Sequence, residues 1–400
     1  MLELETAVKL LKKHISPLNQ TQDVLLNQGL KCILSRDIFS PINVPSFNRS
    51  AMDGYAVKSK NTTNATENVP KIFTVIEQIF AGGSSQMFYT EDNQAIKIAT
   101  GAGIPDGFNA VVKQEDTDCG VDTVEIYKEV KPFENFIPIG EDIEKGQLIV
   151  KKNTQLTPIH LGILASVGIR MVSIIRPLRV GILATGSELA KLGEPLNDGQ
   201  IYNSTTTMLT ADLKQRNVEV VFCEQLVDDV DAVAKSISCN LDTIDFLITT
   251  GGVSVGQKDI MHDVYEKLKV NTLFWGINIQ PGTPFLSGTL NDKLIVSLSG
   301  NPYACLINYQ MVVSPLFSVF SKQYEENKIP AKATLMNEIS KKNNRRRFVR
   351  GFFDGGNVYV LTKNHQSSII SNLIDCNCYV EFPAISRHLP KGTRVTVHFI

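Results

Sequence analysis

Length, composition and charge together indicate a globular protein of several domains. A chain of 400 residues exceeds what one hydrophobic core usually organises, so we expect two to four domains. Hydrophobic residues make up 43% and charged residues 20%, which is typical of folded domains and excludes a disordered or fibrous chain. Because 40 basic side chains offset 41 acidic ones, the composition predicts no nucleic-acid partner.

The sequence also predicts a cytoplasmic location. The opening MLELETAVKLLKKH lacks the basic and then apolar regions of a secretory signal. No run approaches the roughly 18 continuous apolar residues of a membrane span, so no membrane partner is expected. Seven cysteines at irregular spacing argue against a disulfide framework and favour reduced thiols.

The first elements are predicted to be helical and the next ones extended. Residues 3–15 place Leu4, Val8, Leu11 and Ile15 on one helical stripe, and a second helix is predicted from Thr21 to Gly29. After Pro41 turn residues separate short runs typical of strands, which predicts an inserted β-rich domain. These runs are Ile72–Ile79, Ala95–Ile98 and Thr123–Val130.

From Leu178 onward strands alternate with helices. Short apolar strands such as RVGILAT, DFLITT and LIVSLSG are followed by helices predicted after Asn203, from about Asp229, after Gly256 and at about Asn301. This alternation predicts a mostly parallel sheet covered on both faces. After about Asn327 only strand-like runs remain, which predicts a small all-β domain.

The predicted fold class is therefore a multidomain α/β protein. It combines a central three-layer α/β/α domain with a mostly parallel sheet, an inserted β-rich domain, a helical N-terminal segment and a small all-β C-terminal domain. The expected boundaries are 1–52 with 141–177 for an N-terminal linker domain, 53–140 for the inserted domain, 178–326 for the α/β domain and 327–400 for the C-terminal domain.

Glycine-containing turns follow three strands of the α/β domain and predict an anion site. They comprise Thr185, Gly186, Ser187 and Glu188; Thr250, Gly251, Gly252, Val253, Ser254, Val255 and Gly256; and Ser299, Gly300, Asn301 and Pro302. In a parallel sheet such turns lie at one edge, where backbone amides can approach a phosphate-bearing ligand. The alternative is that they are ordinary tight turns. No Walker lysine and no G-x-G-x-x-G motif follows, so a common nucleotide hydrolase or dehydrogenase is not supported.

Carboxylates accompany these turns. Glu188, Asp228, Asp229 and Asp259 all follow predicted strands or begin predicted helices. Mg²⁺ commonly takes one or two protein carboxylates together with phosphate oxygens, so these acids are candidate metal or catalytic residues. The alternative for each acid is a helix cap. Asp53, in a polar loop before Gly54, is a further candidate acid, although a plain Asp-Gly turn explains the same dipeptide.

Seven motifs in order, SAMDGYAV, TGAGIPDG, GEDI, ATGSEL, TTGGVSVGQKD, QPGTPF and SGNPYACL, resemble those of the molybdopterin molybdenumtransferase family, which includes the gephyrin E-domain. The resemblance covers essentially the whole chain. It implies a dimeric protein that inserts molybdate into adenylylated molybdopterin and releases AMP with the help of a divalent cation. It also implies an active site between the α/β domain of one subunit and the inserted domain of the other.

Matching by motif gives a set of expected site residues. The resemblance implies catalytic roles for Asp53, Glu188, Asp228 and Asp259, and Mg²⁺ binding by Glu188 and Asp259. It implies that the substrate is held by Thr100, Gly101, Asp142, Gly186, Ser187, Gly251, Gly252, Ser254, Gly256, Pro281, Pro284, Gly300, Asn301 and Pro302. Other proteins of molybdenum-cofactor assembly are possible partners by the same resemblance.

The chain departs from the family pattern at positions that contact anions. Three family lysines are replaced by Gly276, Gln280 and Thr283, a family arginine by Ile137, a family acid by Ser187 and a family proline by Ser299. Besides an active enzyme, two alternatives therefore remain open: a degenerate paralogue that binds molybdopterin or acts as a regulator or scaffold, and a protein with a changed anion or pterin ligand.

One basic run remains in the C-terminal part. Arg345, Arg346, Arg347 and Arg350 lie close together in the sequence. They are candidates to contact a ligand at a domain edge, but charge runs are usually exposed, so a solvated strand or turn is the favoured expectation.

Overall fold

The computed structural model describes residues 1–83, 91–253, 259–321, 330–340, 344–361, 365–385 and 388–400. Two compact units are formed. Unit 1 comprises Met1–Gln22, Lys31–Ile33 and Ser173–Ile400, and unit 2 comprises Asp23–Leu30 and Leu34–Val172.

The N-terminal helix α1 (Leu4–Lys12) forms as its apolar stripe predicts. Leu4 and Leu11 are buried in the core of unit 1, and Val8 and Ile15 pack partly against that core. The helix predicted from Thr21 to Gly29 is wrong. Residues 21–25 form strand β1 (Thr21–Leu25), and only Leu26–Gln28 make a 3₁₀ turn that ends at Gly29. Tertiary pairing overrides the weak local helix preference here, since the Leu26 amide donates to the Arg170 carbonyl (2.9 Å).

The next part of the chain consists mainly of short strands, as the turn-rich sequence predicts. Five of them form one sheet in the order β8-β5-β7-β6-β9, in which only β6 and β7 run parallel. The two faces alternate along β5: Tyr55 and Val57 enter one apolar cluster and Ala56 enters another. The elements are β2 (Ile33–Leu34), β3 (Ile38–Phe39), β4 (Arg49–Ser50), β5 (Gly54–Val57), β6 (Lys71–Ile79), β7 (Gln94–Ile98), β8 (Ala110–Lys113), β9 (Thr123–Ile126), β10 (Phe136–Ile137), β11 (Leu148–Val150) and α2 (Pro158–Ser166), with 3₁₀ turns at Ser59–Thr62 and Gln114–Asp116.

Unit 1 contains the predicted α/β domain. Its six-stranded sheet has the order β16-β13-β17-β21-β20-β18, parallel from β16 to β21 and antiparallel beyond. The elements are β12 (Met171–Ile175), β13 (Arg179–Thr185), β14 (Leu189–Ala190), β15 (Ile201–Tyr202), α3 (Ser204–Gln215), β16 (Glu219–Leu226), α4 (Val230–Asn240), β17 (Phe246–Thr250), α5 (Ile260–Leu268), β18 (Asn271–Trp275), β19 (Ile279–Gln280), β20 (Phe285–Leu290), β21 (Lys293–Leu298), α6 (Pro302–Asn308) and α7 (Phe317–Ser321), with a 3₁₀ turn at Leu241–Thr243.

Helices cover both faces of this sheet, so the three-layer prediction is confirmed. Alternate strand residues separate into two cores: Ile182 and Ile248 pack with α1, α3 and α6, whereas Leu183 and Leu247 pack with α4 and α5. The predicted helix starts are also confirmed, since the side chains of Asn203 and Asp229 cap α3 and α4.

The segment Pro302–Phe320 is long and apolar enough to cross a membrane by length and composition alone. It consists of α6, a π-helical turn at Tyr309–Val313, a 3₁₀ turn at Ser314–Leu316 and the start of α7. Its side chains Ile307, Val312 and Leu316 belong to the core of unit 1. The segment is therefore best explained as a core helix.

The C-terminal part is all-β, as predicted, and its main sheet is closed and barrel-like. Its strand order is β19-β24-β25-β22-β28-β26, and β24 also pairs with β26. The elements are β22 (Ala331–Leu335), β23 (Ile339–Ser340), β24 (Arg346–Asp354), β25 (Asn357–Val360), β26 (Cys378–Phe382), β27 (His388–Leu389) and β28 (Arg394–Phe399), with a 3₁₀ turn at Ser371–Leu373.

The favoured expectation that the arginine run is solvated is wrong. Arg347 is only 8% exposed and Arg350 is fully buried, while Arg345 and Arg346 are partly buried. The reason is the position of β24, which has neighbouring strands on both sides and packs against α6 through the bond from the Tyr303 hydroxyl to the Phe348 carbonyl (3.1 Å).

Candidate functional site

Three turns lie side by side at the carboxyl edge of the parallel strands. The strands β13, β17 and β21 are adjacent and in register, with Ala184 opposite Thr250 and Thr250 opposite Leu298. We refer to the turns that follow them, Thr185–Glu188, Thr250–Val253 and Ser299–Pro302, as the glycine edge. The structure thus brings Gly186, Ser187, Gly251, Gly252, Gly300, Asn301 and Pro302 to one edge of the sheet, where ligands bind in open α/β folds.

Glycine is required at Gly251 because two backbone segments meet there. Gly251 has a φ of +92°, and a Cβ atom at this position would lie 2.2 Å from the Thr185 carbonyl oxygen. The Gly251 amide donates to the Leu298 carbonyl (3.2 Å), and a Cβ on Gly300 would lie 3.3 Å from the Gly251 Cα. Backbone contact therefore holds the three turns together and leaves little side-chain bulk over them.

The acids near the first turn have distinct roles in the structure. The Asp228 Oδ2 atom accepts from the Ser187 amide (3.1 Å) and from its hydroxyl (3.3 Å), so Asp228 fixes the turn. Asp229 instead caps α4 through a bond from the Ala232 amide (2.7 Å). Glu188 is exposed, and both of its carboxylate oxygens lie 2.9 Å from the position of a Gly186 Cβ. A cavity of about 280 Å³ opens beside this turn, lined in part by Gly186 and Leu226.

Asp259 stands at the start of α5, but its side chain makes no capping hydrogen bond to the helix. The neighbouring candidates Ser254 and Gly256 lie outside the described residues. Within the part of the chain that the structure describes, the Thr185 hydroxyl and the Thr249 hydroxyl are buried without a hydrogen-bond partner. Burying a hydroxyl without a hydrogen-bond partner costs folding free energy. Thr185 is the last residue of its strand, so its hydroxyl is placed where a ligand at the glycine edge could supply the missing partner.

The segment containing Pro281 and Pro284 is attached to the third turn by one buried side chain. Asn308 donates to the Gly282 carbonyl (2.6 Å) and accepts from the Ser299 amide (3.4 Å). Asn301 stands before α6 without a side-chain capping bond, and Pro302 is its first residue. Sequence reasoning missed Asn308, because an asparagine inside an apolar helix carries no motif. Its polarity in an apolar run was the available signal.

Unit 2 contains a separate pair of candidate residues that the structure joins. The Asp53 Oδ1 atom accepts from the Thr100 amide (2.7 Å) and from the Thr100 hydroxyl (3.0 Å), and these bonds lower the pKa of Asp53. The Gly101 amide donates to the Ser50 carbonyl (2.8 Å), which fixes the same loop. Asp142 lies in another segment of unit 2, where its amide donates to the Val44 carbonyl (3.0 Å).

The acids at the glycine edge are compatible with a Mg²⁺ ion shared with a substrate. Among the described residues, no three His, Cys, Asp or Glu side chains are grouped as a complete protein metal site. Mg²⁺ usually keeps several waters and needs only one or two protein carboxylates beside phosphate oxygens. The exposed Glu188 carboxylate, next to the amides of the first turn, fits that requirement.

Positions where the family has lysine are structurally unlike one another. Gly276 has a φ of +81°, and a Cβ there would lie 2.7 Å from Met1 Cγ. The Thr283 hydroxyl donates to the Ile279 carbonyl (2.6 Å) and accepts from Arg345 (2.7 Å). Gln280 is paired in register with Arg347. Two of the three positions therefore lie beside an arginine of the β24 region, which sequence reasoning did not find.

Comparison with known proteins gives the same family over the whole chain. Residues 2–168 match the MoeA N-terminal region (domain I and II), residues 181–318 a probable molybdopterin binding domain and residues 332–400 the MoeA C-terminal region (domain IV). The molybdopterin molybdenumtransferase of Haemophilus influenzae is 35% identical, with 99% of this chain and 98% of the relative covered. That of Bacillus subtilis is 33% identical, with 97% and 91% covered.

A solved structure supports the fold. The molybdopterin biosynthesis moeA protein from Pyrococcus horikoshii OT3 superposes with a TM-score of 0.81 at 28% identity, and the match covers 100% of both chains. Because the identity to curated relatives exceeds 30% over almost the full length and three family models match successive segments, this chain belongs to the molybdopterin molybdenumtransferase family.

Proposed function

We propose that this protein inserts molybdate into adenylylated molybdopterin and releases AMP, with Mg²⁺ as the assisting cation, as a cytoplasmic homodimer. The transferase activity follows from family membership. The observation that carries the residue-level proposal is the glycine edge, where the Asp228 carboxylate holds the Ser187 turn and the Glu188 carboxylate is exposed. A cavity lined in part by Gly186 and Leu226 lies beside the same turn.

Each part of the site is assigned a task by its chemistry. The turns containing Gly252 and Gly300 offer backbone donors to the phosphate and adenylate groups, while the Gly186 and Gly251 amides bond to the Leu226 and Leu298 carbonyls and hold the turns in place. Asp228 keeps the first turn in place, so that the Ser187 amide and hydroxyl stay fixed. Glu188 and Asp259 would hold Mg²⁺, whose charge would screen the phosphate oxygens. The substrate contacts of Pro281, Pro284, Asn301, Pro302, Ser254 and Gly256 belong to the same proposal.

The Asp53 and Thr100 pair supplies a second acidic element. The Thr100 amide and hydroxyl, which lower the pKa of Asp53, fix the orientation of its carboxylate. An ionised, oriented carboxylate suits a role in positioning water or the leaving group. We assign catalytic roles to Asp53, Glu188, Asp228 and Asp259, and substrate binding to Thr100, Gly101 and Asp142. We also propose the domain limits 1–52 with 141–177, 53–140, 178–326 and 327–400, the third being the molybdopterin-binding domain.

AMP release from adenylylated molybdopterin, measured with Mg²⁺ and molybdate, tests the proposal. Asp228→Asn should slow release at least about tenfold, because an amide at this position can no longer present a charged acceptor to Ser187. Asp229→Asn is the matched control: asparagine caps a helix as well as aspartate does, so release should stay within about twofold. No molybdate-dependent release by the wild-type protein, with substrate still bound, would favour a binding-only paralogue.

A further inference from the structure

The chain between β18 and β20 forms a closed loop, residues 276–285, which we call the proline loop. Its two ends are joined by a backbone hydrogen bond from the Gly276 amide to the Phe285 carbonyl (2.7 Å). The loop contains Pro281 and Pro284, which the proposed function assigns to substrate binding. The backbone bond closes the loop, but further contacts are needed to place it against the glycine edge.

The base of the proline loop is held by the N-terminal segment. Leu2 forms a parallel β-bridge with Ile277, and the Leu2 amide donates to the carbonyl of the residue before it (3.0 Å). The side chain of Asn278 donates to the Glu3 Oε1 atom (2.6 Å). All of these contacts are made at the first residues of the loop and involve no residue of the glycine edge.

One buried side chain, Asn308, contacts both the proline loop and the glycine edge. Its Nδ2 atom donates to the Gly282 carbonyl (2.6 Å), and its Oδ1 atom accepts from the Ser299 amide over a longer distance (3.4 Å). Asn308 is fully buried at the end of the apolar helix α6. Burying an amide side chain costs folding free energy unless its polar atoms are bonded, so these two contacts determine its orientation.

The proline loop approaches α6 so closely that glycine is required at the contact. Gly282 has a φ of +100°, and a Cβ atom there would lie 2.7 Å from the Asn308 Nδ2 atom and 3.3 Å from the Ala304 carbonyl oxygen. Ala304 and Asn308 are four residues apart and therefore lie on one face of the helix. Because Gly282 has no side chain, the Asn308 amide reaches its carbonyl directly.

The helix changes its geometry directly after this contact. A π-helical turn, Tyr309–Val313, follows Asn308, and its residues Tyr309, Val312 and Val313 belong to the core of unit 1. Single π-helical turns within helices occur frequently at functional sites. The polar contact of Asn308 is thus followed at once by a turn that is packed in the apolar core.

We propose that Asn308 is a positioning residue for the transfer reaction. Its side chain holds the proline loop at a fixed distance from the Ser299 turn of the glycine edge, so that both segments contact one substrate molecule. Because Asn308 is fully buried, it acts through Gly282 and Ser299 and does not touch the substrate itself. The inference rests on the proposed function, which takes Pro281, Pro284 and the glycine edge as substrate contacts.

A purely structural role of Asn308 makes a different prediction. Loss of its hydrogen bonds would then lower the melting temperature, but the folded protein would release AMP with the wild-type kcat and KM. A positioning role requires a kinetic effect in fully folded protein, because a misplacement of about 1 Å can slow a reaction by about 100-fold. The two roles separate when kcat and KM are measured well below the melting temperature.

Asn308→Leu removes both hydrogen bonds with a side chain of the same branched shape. In the AMP-release assay with Mg²⁺ and molybdate, kcat should fall at least about tenfold, while the KM for adenylylated molybdopterin stays within about threefold of the wild type. Asn278→Leu is the matched control, because it removes a side-chain bond of the same length from the base of the same loop. Its kcat should stay within about twofold. Wild-type kcat and KM in Asn308→Leu, or an equal loss in both variants, would overturn the proposal.

A second variant carries the test if Asn308→Leu does not fold. Asn308→Ala leaves space in which water can bond to the Gly282 carbonyl and the Ser299 amide, so the fold is retained while the direct link is lost. The same fall in kcat is expected. A folded Asn308→Ala protein with the wild-type kcat contradicts a positioning role.

Amide hydrogen exchange measures the link without any substrate. Peptides covering residues 276–285 and 296–301 report on the proline loop and on the Ser299 turn. Both should exchange at least about tenfold faster in Asn308→Leu, whereas Asn278→Leu should leave the second peptide unchanged. Unchanged exchange in both peptides of Asn308→Leu overturns the link. Wild-type protein that releases no AMP would instead refute the proposed function, and the exchange result would still decide whether Asn308 joins the two segments.

Discussion

Replacement of Gly251 by alanine tests whether backbone contact builds the glycine edge. At a φ of +92° an alanine costs about 1–3 kcal/mol, because L-residues rarely adopt that conformation. Its Cβ would lie 2.2 Å from the Thr185 carbonyl oxygen, and overpacking of this kind costs about another 1–3 kcal/mol. We therefore expect Gly251→Ala to lower the free energy of unfolding of the α/β domain by about 3 kcal/mol or more.

The adjacent glycine provides the matched control. Gly252 has a φ of +63°, in the left-handed region that alanine enters at a cost of about 1 kcal/mol, and its Cβ would meet the Ile260 side chain and the Thr185 hydroxyl at 3.2 Å. Side chains adjust more easily than a carbonyl of a neighbouring turn. Gly252→Ala should therefore cost only about 1 kcal/mol.

Urea unfolding followed by tryptophan fluorescence measures the free energy of unfolding of both variants with a probe next to the substituted turn. Trp275 is the single tryptophan of the sequence, and its indole nitrogen donates to the Val253 carbonyl (3.4 Å), at the end of the same turn. The emission change therefore reports on the α/β domain. A Gly251→Ala variant within about 0.5 kcal/mol of the wild type, or no less stable than Gly252→Ala, would refute the argument from backbone approach.

Three further predictions follow from the same contacts. Gly276→Lys should lower the thermal stability, because the φ of +81° and the contact with Met1 leave no relaxed position for a side chain, and an unchanged melting temperature would contradict this. Thr283→Lys should also lower the thermal stability, because it removes the hydroxyl that bonds to the Ile279 carbonyl and to Arg345 and puts a like charge beside that arginine; a melting temperature equal to that of the wild type would contradict this. Burial would raise the pKa of Glu381, but hydrogen bonds from His398 and Arg346 outweigh it and lower the pKa from 4.5 to about 2. The resulting stability, about 3 kcal/mol at most, is present above pH 4.5 and lost as the pH falls toward 2, so the difference in unfolding free energy between wild type and Glu381→Gln should shrink over that range.

The hydrophobic patterns and helix-capping residues of the sequence were sufficient to predict the main architecture. The alternation of buried strands with capped helices predicted a three-layer domain, and Asn203 and Asp229 cap their helices as typical N-cap residues do. The glycine turns were placed at one edge correctly, because parallel strands necessarily end on the same side. The helix predicted at Thr21 failed, since a short segment of weak preference follows its pairing partner rather than its own periodicity.

Tertiary structure decided the roles of neighbouring residues of identical type. Asp228 and Asp229 are equivalent in sequence, yet one carboxylate fixes the Ser187 turn and the other caps α4. In the sequence Arg345, Arg346, Arg347 and Arg350 are indistinguishable members of one basic run. In the structure β24 pairs with β19 and β26, and each arginine has a different environment. Short-range periodicity records which side chains face a core. It does not record which distant residue supplies a charge or a carbonyl, because that depends on strand register between segments far apart in the chain.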